Sequence, residues 1–209
     1  MSKYYYHGLG EAFYRGDSLN RILKILKTGG IKCKRLLGLP NIYESTCNGM
    51  DYVSVCKKLS DQEYQGFFHY ESAFYNYVQN CFCLIISDEI KTVKPIIFPI
   101  TEWKNKEIAR MRQSDKKNRF SDICDEWQVY EVVPLSMIIG VGIPLRWIEA
   151  TCENESDLEK LQELVTIAEA LGLDIVDTNN PNFVEEYEVS KQELGKKVFV
   201  SSARSDTNE

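Results

Sequence analysis

The chain has 209 residues, 44% hydrophobic and 27% charged, a globular composition with room for one full-sized domain and extensions. Six prolines and 12 glycines exclude collagen-like and low-complexity architectures, and no apolar run reaches the ~20 residues that cross a bilayer. The net charge of -6 hides a segregation: residues 1 to 152 carry 20 basic and 17 acidic side chains, whereas residues 153 to 209 carry 5 and 14.

The opening MSKYYYHGL lacks the apolar core of a secretory signal, so a soluble cytoplasmic protein with no membrane partner is expected. KYYYHGLG combines aromatic residues with a glycine stop, as a short strand entering a turn does. In LNRILKILKTGG the residues Leu19, Ile22, Leu23, Ile25 and Leu26 form a helical stripe, with Asp17 or Ser18 placed to cap its start and Gly29-Gly30 to end it. DYVSVCKK (51 to 58) alternates as a strand, and a helix is expected around Glu71 to Gln79. CFCLIIS (81 to 87) and PIIFPI (95 to 100) are apolar runs of strand length. Residues 101 to 122 read as a polar, basic loop with a short helix. EWQVYEVV (126 to 133) reads as one alternating strand closed by Pro134, and MIIGVGIP (137 to 144) as a turn and a strand. Ser156 and Glu159 form a capping-box pattern ahead of a helix that ends at Gly172, and DIVD (174 to 177) reads as a small strand.

Strands and helices do not alternate regularly, which predicts an α+β fold with small mixed or antiparallel sheets. The expected organisation is a main domain over 1 to 150, a C-terminal helical extension packed on it over 151 to 199, and a disordered tail over 200 to 209.

Seven cysteines, an odd number without pairing rhythm, read as free thiols. With two histidines and a single close thiol pair, Cys81 and Cys83, inside an apolar run, the roughly four convergent ligands of a zinc site are lacking and no metal is expected. Gly140-Val141-Gly142 lacks the third glycine and the helix of a dinucleotide fingerprint, and phosphate-loop, α/β-hydrolase and zinc-protease signatures are missing from the sequence. The segment 104 to 119 holds seven basic residues against two acidic ones, which suits an anionic partner or a solvated loop.

Three strings in order carry more than any one of them: Tyr5-Tyr6-His7-Gly8-Leu9 leading to a helix that ends in glycine, DYVSVCKK with Tyr52 and Ser54, and DEWQVYEVV with Glu126. Over residues 3 to 145 this arrangement resembles the ADP-ribosyltransferase fold superfamily, in the branch whose catalytic triad is His, Tyr and Glu. The resemblance implies a mono-ADP-ribosyltransferase that uses NAD as substrate and modifies a nucleic acid or a protein, as a toxin or defence effector does. It implies catalytic roles for Glu126, His7 and Tyr52, and cofactor contacts from His7, Gly8, Tyr52, Ser54 and Arg15.

Those residue types suit the chemistry. Cleaving the nicotinamide–ribose bond develops positive charge on the sugar, which a nearby carboxylate stabilises. An imidazole can orient the ribose, and an aromatic face can stack on nicotinamide. Ser54 shares a strand face with Tyr52 and could hold its position. His69-Tyr70-Glu71 is not the triad, whose members converge from distant strands. Phe13-Tyr14-Arg15-Gly16, in an insertion over Gly10 to Ser18, looks like the arginine strand of the other branch, whose triad is Arg, Ser and Glu; there Arg15 would clamp the diphosphate.

In the family the loop before the glutamate strand commonly recognises the acceptor, so Lys104, Lys106, Arg110, Arg112, Lys116 and Lys117 are expected to meet it. Two alternatives remain open. One is a non-catalytic interaction module on the same fold, binding an immunity or regulatory protein; the other is an RNA 2'-phosphotransferase-like enzyme.

Overall fold

The structure is a computed structural model that describes residues 1–9, 15–39, 51–62, 72–93, 125–146, 155–194 and 199–200. In chain order the elements are strand β1 (Tyr5–Gly8), helix α1 (Arg15–Thr28), β2 (Gly30–Lys32), β3 (Tyr52–Cys56), α2 (Ala73–Tyr77), β4 (Cys83–Ile86), β5 (Glu126–Tyr130) and β6 (Val132–Pro134). A single 3-10 turn, Leu135–Met137, leads into β7 (Ile138–Ile143), α3 (Glu155–Leu171), β8 (Asp174–Asp177), α4 (Phe183–Leu194) and β9 (Phe199–Val200). The class is α+β, as the irregular order of elements predicts.

Seven strands form one sheet in the order β5-β3-β1-β4-β7-β8-β9, and β2 pairs with β6 in a small second sheet. Pairing is antiparallel from β5 across to β7 and parallel where β8 and β9 add on. The segment after residue 150, expected as a helical extension, therefore supplies strands to the sheet as well as helices. Val200, placed by the sequence reading in a disordered tail, belongs to β9.

Both faces of the sheet are covered, which explains why all four residues of β4 are apolar and buried and why Tyr5 and Tyr6 of β1 are buried on opposite sides. On one face Tyr5, Val53, Val55, Leu84, Ile86, Val129 and Val141 pack under Leu19, Ile22, Leu23 and Leu26 of α1 and Leu164 and Ala168 of α3. On the other, Tyr6, Cys56, Cys83, Ile85 and Val176 pack under Phe74 of α2 and Phe183, Val184 and Tyr187 of α4. Tyr6 sits fully buried with its ring edge-on to Phe74 and Phe183, at centroid separations of 5.6 and 5.9 Å. Such aromatic contacts are worth about 0.5–1.5 kcal/mol each beyond the area they bury.

Several local expectations need correcting. Helix α1 begins at Arg15, so Asp17 and Ser18 lie within its first turn and do not cap it; the Ser18 hydroxyl donates to the Leu9 carbonyl at 3.2 Å and ties the helix to the end of β1. Helix α3 begins at Glu155, so Ser156 is its second residue and not its cap. Its far end behaves as read: Gly172 has a φ of 74°, and Leu173 donates to the Ala168 carbonyl and Gly172 to that of Glu169. That is the double bond of a Schellman stop, and both Ala168 and Leu173 belong to the core. EWQVYEVV is two strands and not one, because Glu131 adopts a φ of 56° and turns the chain from β5 in the large sheet to β6 in the small one. Helix α4 and strand β2 are elements the sequence reading did not name. The run PIIFPI and the loop 101 to 122 fall outside the described residues.

Candidate functional site

The three strings of the sequence pattern become three adjacent strands. β3 lies between β1 and β5, and its register to β5 pairs Tyr52 with Tyr130, Ser54 with Gln128 and Cys56 with Glu126. On its other edge Cys56 pairs with Tyr6. Sequence separations of nearly 50 and 120 residues are thus reduced to neighbouring rungs of one ladder.

Facing residues of an antiparallel pair share a side of the sheet, and successive residues alternate. Tyr52, Ser54, Cys56 and Glu126 therefore stand on the side that carries Tyr6. His7 follows Tyr6 and points to the opposite side, with Tyr5, Val55 and Trp127, beneath α1. The two packing clusters agree, since Tyr5, Val55 and Val129 belong to one and Tyr6 and Cys56 to the other. The structure thus does not bring His7, Tyr52 and Glu126 to one point. Tyr52 and Glu126 share a face but stand at opposite ends of the β3–β5 ladder, four residues or roughly 13 Å apart at a rise of ~3.3 Å per residue. Ser54 lies closer to Glu126, two residues or roughly 7 Å along the ladder.

The Nδ1 atom of His7 lies 2.8 Å from the Ser54 carbonyl oxygen. A carbonyl only accepts, so in the neutral ring Nδ1 carries the hydrogen and Nε2 keeps the free lone pair. Burial is the main cause holding the His7 pKa below its ordinary value, partly countered by this hydrogen bond and reinforced by the charge of Arg21.

On the other face Ser54 is exposed and Glu126 and Tyr52 are half-buried. The Tyr52 ring meets Tyr130 edge-on at 5.5 Å, and Tyr130 is 60% exposed. Beyond the pair, Arg35 donates from Nε to Asp51 at 2.5 Å and also pairs with Glu131. The Glu131 amide donates to the Asp51 carbonyl at 2.7 Å, so this cluster holds the turn from β5 to β6.

Gly8, expected to touch the cofactor, has a packing reason to be glycine: a Cβ there would overlap the Tyr77 carbonyl, where α2 crosses β1. Arg15 opens helix α1 and is not on a strand, so the strand placement required by the arginine branch does not hold. Gly142 likewise serves packing, since a Cβ would run into Cys83 and Thr178. Lys104, Lys106, Arg110, Arg112, Lys116 and Lys117, and also His69 and Glu71, lie outside the described residues.

Asp125 escaped the sequence reading. Its carboxylate, fully buried, accepts from the Ser72 hydroxyl at 2.5 Å and from the amides of Ala73 at 3.0 Å and Phe74 at 3.1 Å. Its own carbonyl accepts from the Lys57 amide at 3.0 Å. The available signal was Ser72 ahead of AFYNY, an N-cap residue whose hydroxyl also accepts from the Tyr75 amide.

No protein-family model, no curated protein and no solved structure matches the chain. No helix among the described residues is long and apolar enough to cross a membrane. Among the same residues no three His, Cys, Asp or Glu side chains gather as metal ligands would.

Proposed function

We propose that this chain is a mono-ADP-ribosyltransferase that works from the Ser54–Glu126 face of the β3–β5 pair and transfers ADP-ribose from NAD to a macromolecular acceptor. The observation that supports this reading is the adjacency of the three motif strands, with exposed Ser54 and half-buried Glu126 on one face. That face suits the substrate: a carboxylate and a hydroxyl to meet a ribose, and a tyrosine pair further along to meet a planar ring.

NAD supplies an activated ADP-ribose, because nicotinamide leaves as a neutral group and positive charge develops on the sugar. Glu126 would face that charge and stabilise it in the transition state. Ser54 would bond a ribose hydroxyl beside it, a contact that the resemblance implies for His7. His7 would act from behind the sheet by holding the Ser54 carbonyl, and so is a positioning residue in this reading. The basic segment 104 to 119 would meet an anionic acceptor, such as a nucleic acid or an acidic protein face, in the manner of a toxin or defence effector.

The test is incubation with labelled NAD and a cell lysate, followed by separate nuclease and protease treatment. Label transferred to macromolecules and lost in Glu126→Gln by about two to three orders of magnitude is the expected result. Equal transfer by the folded variant would remove Glu126 from the reaction. A second reading, an interaction module without turnover, draws on the orientation of His7 away from Glu126. It predicts no release of nicotinamide under any acceptor condition.

A further inference from the structure

We propose that Asp125 is a positioning residue for Glu126, coupling the aim of that carboxylate to helix α2 and through it to β1. The inference rests on the reading of Glu126 given above and adds to it a residue that the family resemblance does not assign.

Glu126 is the first residue of β5. The chain enters it through Asp125. Asp125 is fastened in two directions: its carbonyl to the Lys57 amide just past the end of β3, and its side chain to three donors at the start of α2. Hydrogen bonds to an ionised carboxylate are stronger than neutral ones and directional. Three of them in a fully buried site leave the peptide entering Glu126 little freedom. Ser72, also fully buried, spends its hydroxyl hydrogen on Asp125 and accepts the Tyr75 amide, so the anchor is itself oriented.

The helix that receives Asp125 is in turn seated on β1. Phe74 packs on Tyr6, and the Tyr77 backbone fits against Gly8 with no room for a Cβ. A chain of contacts thus runs from β1 through α2 and Asp125 to Glu126. If α2 shifts, the glutamate shifts with it. Reacting groups need placing to within a fraction of an ångström, and a misplacement of about 1 Å can cost a hundredfold in rate.

The experiment measures NAD turnover by the full chain for wild type, Asp125→Asn, Glu126→Gln and the double variant, with Ser72→Ala as a milder companion. Asparagine keeps the shape but can accept through one oxygen only. The expected result is a loss in kcat of roughly ten- to a hundredfold for Asp125→Asn with KM for NAD little changed. Ser72→Ala should show a smaller loss of the same kind, and it carries the test if Asp125→Asn does not fold.

Because Asp125 acts through Glu126, adding Asp125→Asn to Glu126→Gln should lower kcat no further. A purely structural role would lower the melting temperature of both Asp125→Asn and Ser72→Ala while leaving kcat per folded molecule unchanged, and that outcome overturns the proposal. So does a fully additive double variant. Wild type without turnover, or Glu126→Gln as active as wild type, would instead overturn the reading of Glu126 itself, and this inference with it.

Discussion

His7 bonds the carbonyl of Ser54 from the side of the sheet opposite the Ser54 hydroxyl's neighbour Glu126. The contact locks β1 to β3 beside the rung that carries Ser54, and it requires a neutral ring in a half-buried place. Protonation is disfavoured in the folded protein, so the pKa of His7 lies below its ordinary 6.5, with burial as the leading cause. The unfolded chain then takes up the proton first as pH falls. Stability from this group is complete above the unfolded value and declines as pH drops through it toward the lower folded value. His7→Asn keeps a donor near the Nδ1 position but does not titrate. The gap between wild-type and His7→Asn urea midpoints should therefore narrow or reverse between about pH 7.5 and about pH 5. Parallel curves across that range would show that His7 is not held neutral.

Gly8 faces backbone and Gly142 faces side chains. A Cβ on Gly8 would overlap the Tyr77 carbonyl, which moves only if α2 moves, whereas one on Gly142 meets Cys83 and Thr178 side chains. Gly8→Ala should destabilise by about 1–3 kcal/mol, the cost of overpacking. Gly142→Ala should cost less. Denaturant unfolding of the two variants checks the order, and a costlier Gly142→Ala would contradict it.

Glu131 holds a φ of 56°, a left-handed conformation that a β-branched residue tolerates poorly. Its ion pair with Arg35 is exposed to solvent, where screening leaves it little weight in stability. Glu131→Gly should consequently be close to neutral, because relief at the turn offsets loss of the pair. Glu131→Val should lose both and destabilise by more than about 1 kcal/mol. Equal urea midpoints for the two variants would mean that the backbone at 131 carries no such constraint.

The basic segment yields a prediction about the acceptor. If Lys104 to Arg119 meets nucleic acid, binding should weaken steeply with salt, each neutralised phosphate contributing ~0.7 to 0.9 to the log–log slope. Replacing Arg110, Arg112, Lys116 and Lys117 with Ser should flatten that slope and abolish modification of the acceptor while NAD hydrolysis persists. A slope unchanged by the four substitutions would place the acceptor elsewhere.

Periodicity and punctuation in the sequence determined most of the elements by themselves. The stripe from Leu19 to Leu26, the apolar run Cys83 to Ile86 and the stop at Gly172 each express a local rule: a helical face, a strand buried on both sides, a left-handed cap. The class of the fold follows from their irregular order. Other features depended on partners distant in the chain. Asp125 looks like any charged residue until α2, some 50 residues earlier, presents three donors to it. The division of EWQVYEVV at Glu131 depends on Asp51, Cys33 and Arg35 waiting at that turn. Which side of the sheet His7 and Glu126 occupy is a matter of register between strands, and a shift of one residue exchanges the two sides. Motif order in the sequence could bring their strands together. Only the pairing of Tyr6 with Cys56 and of Cys56 with Glu126 decided that the imidazole and the carboxylate point apart.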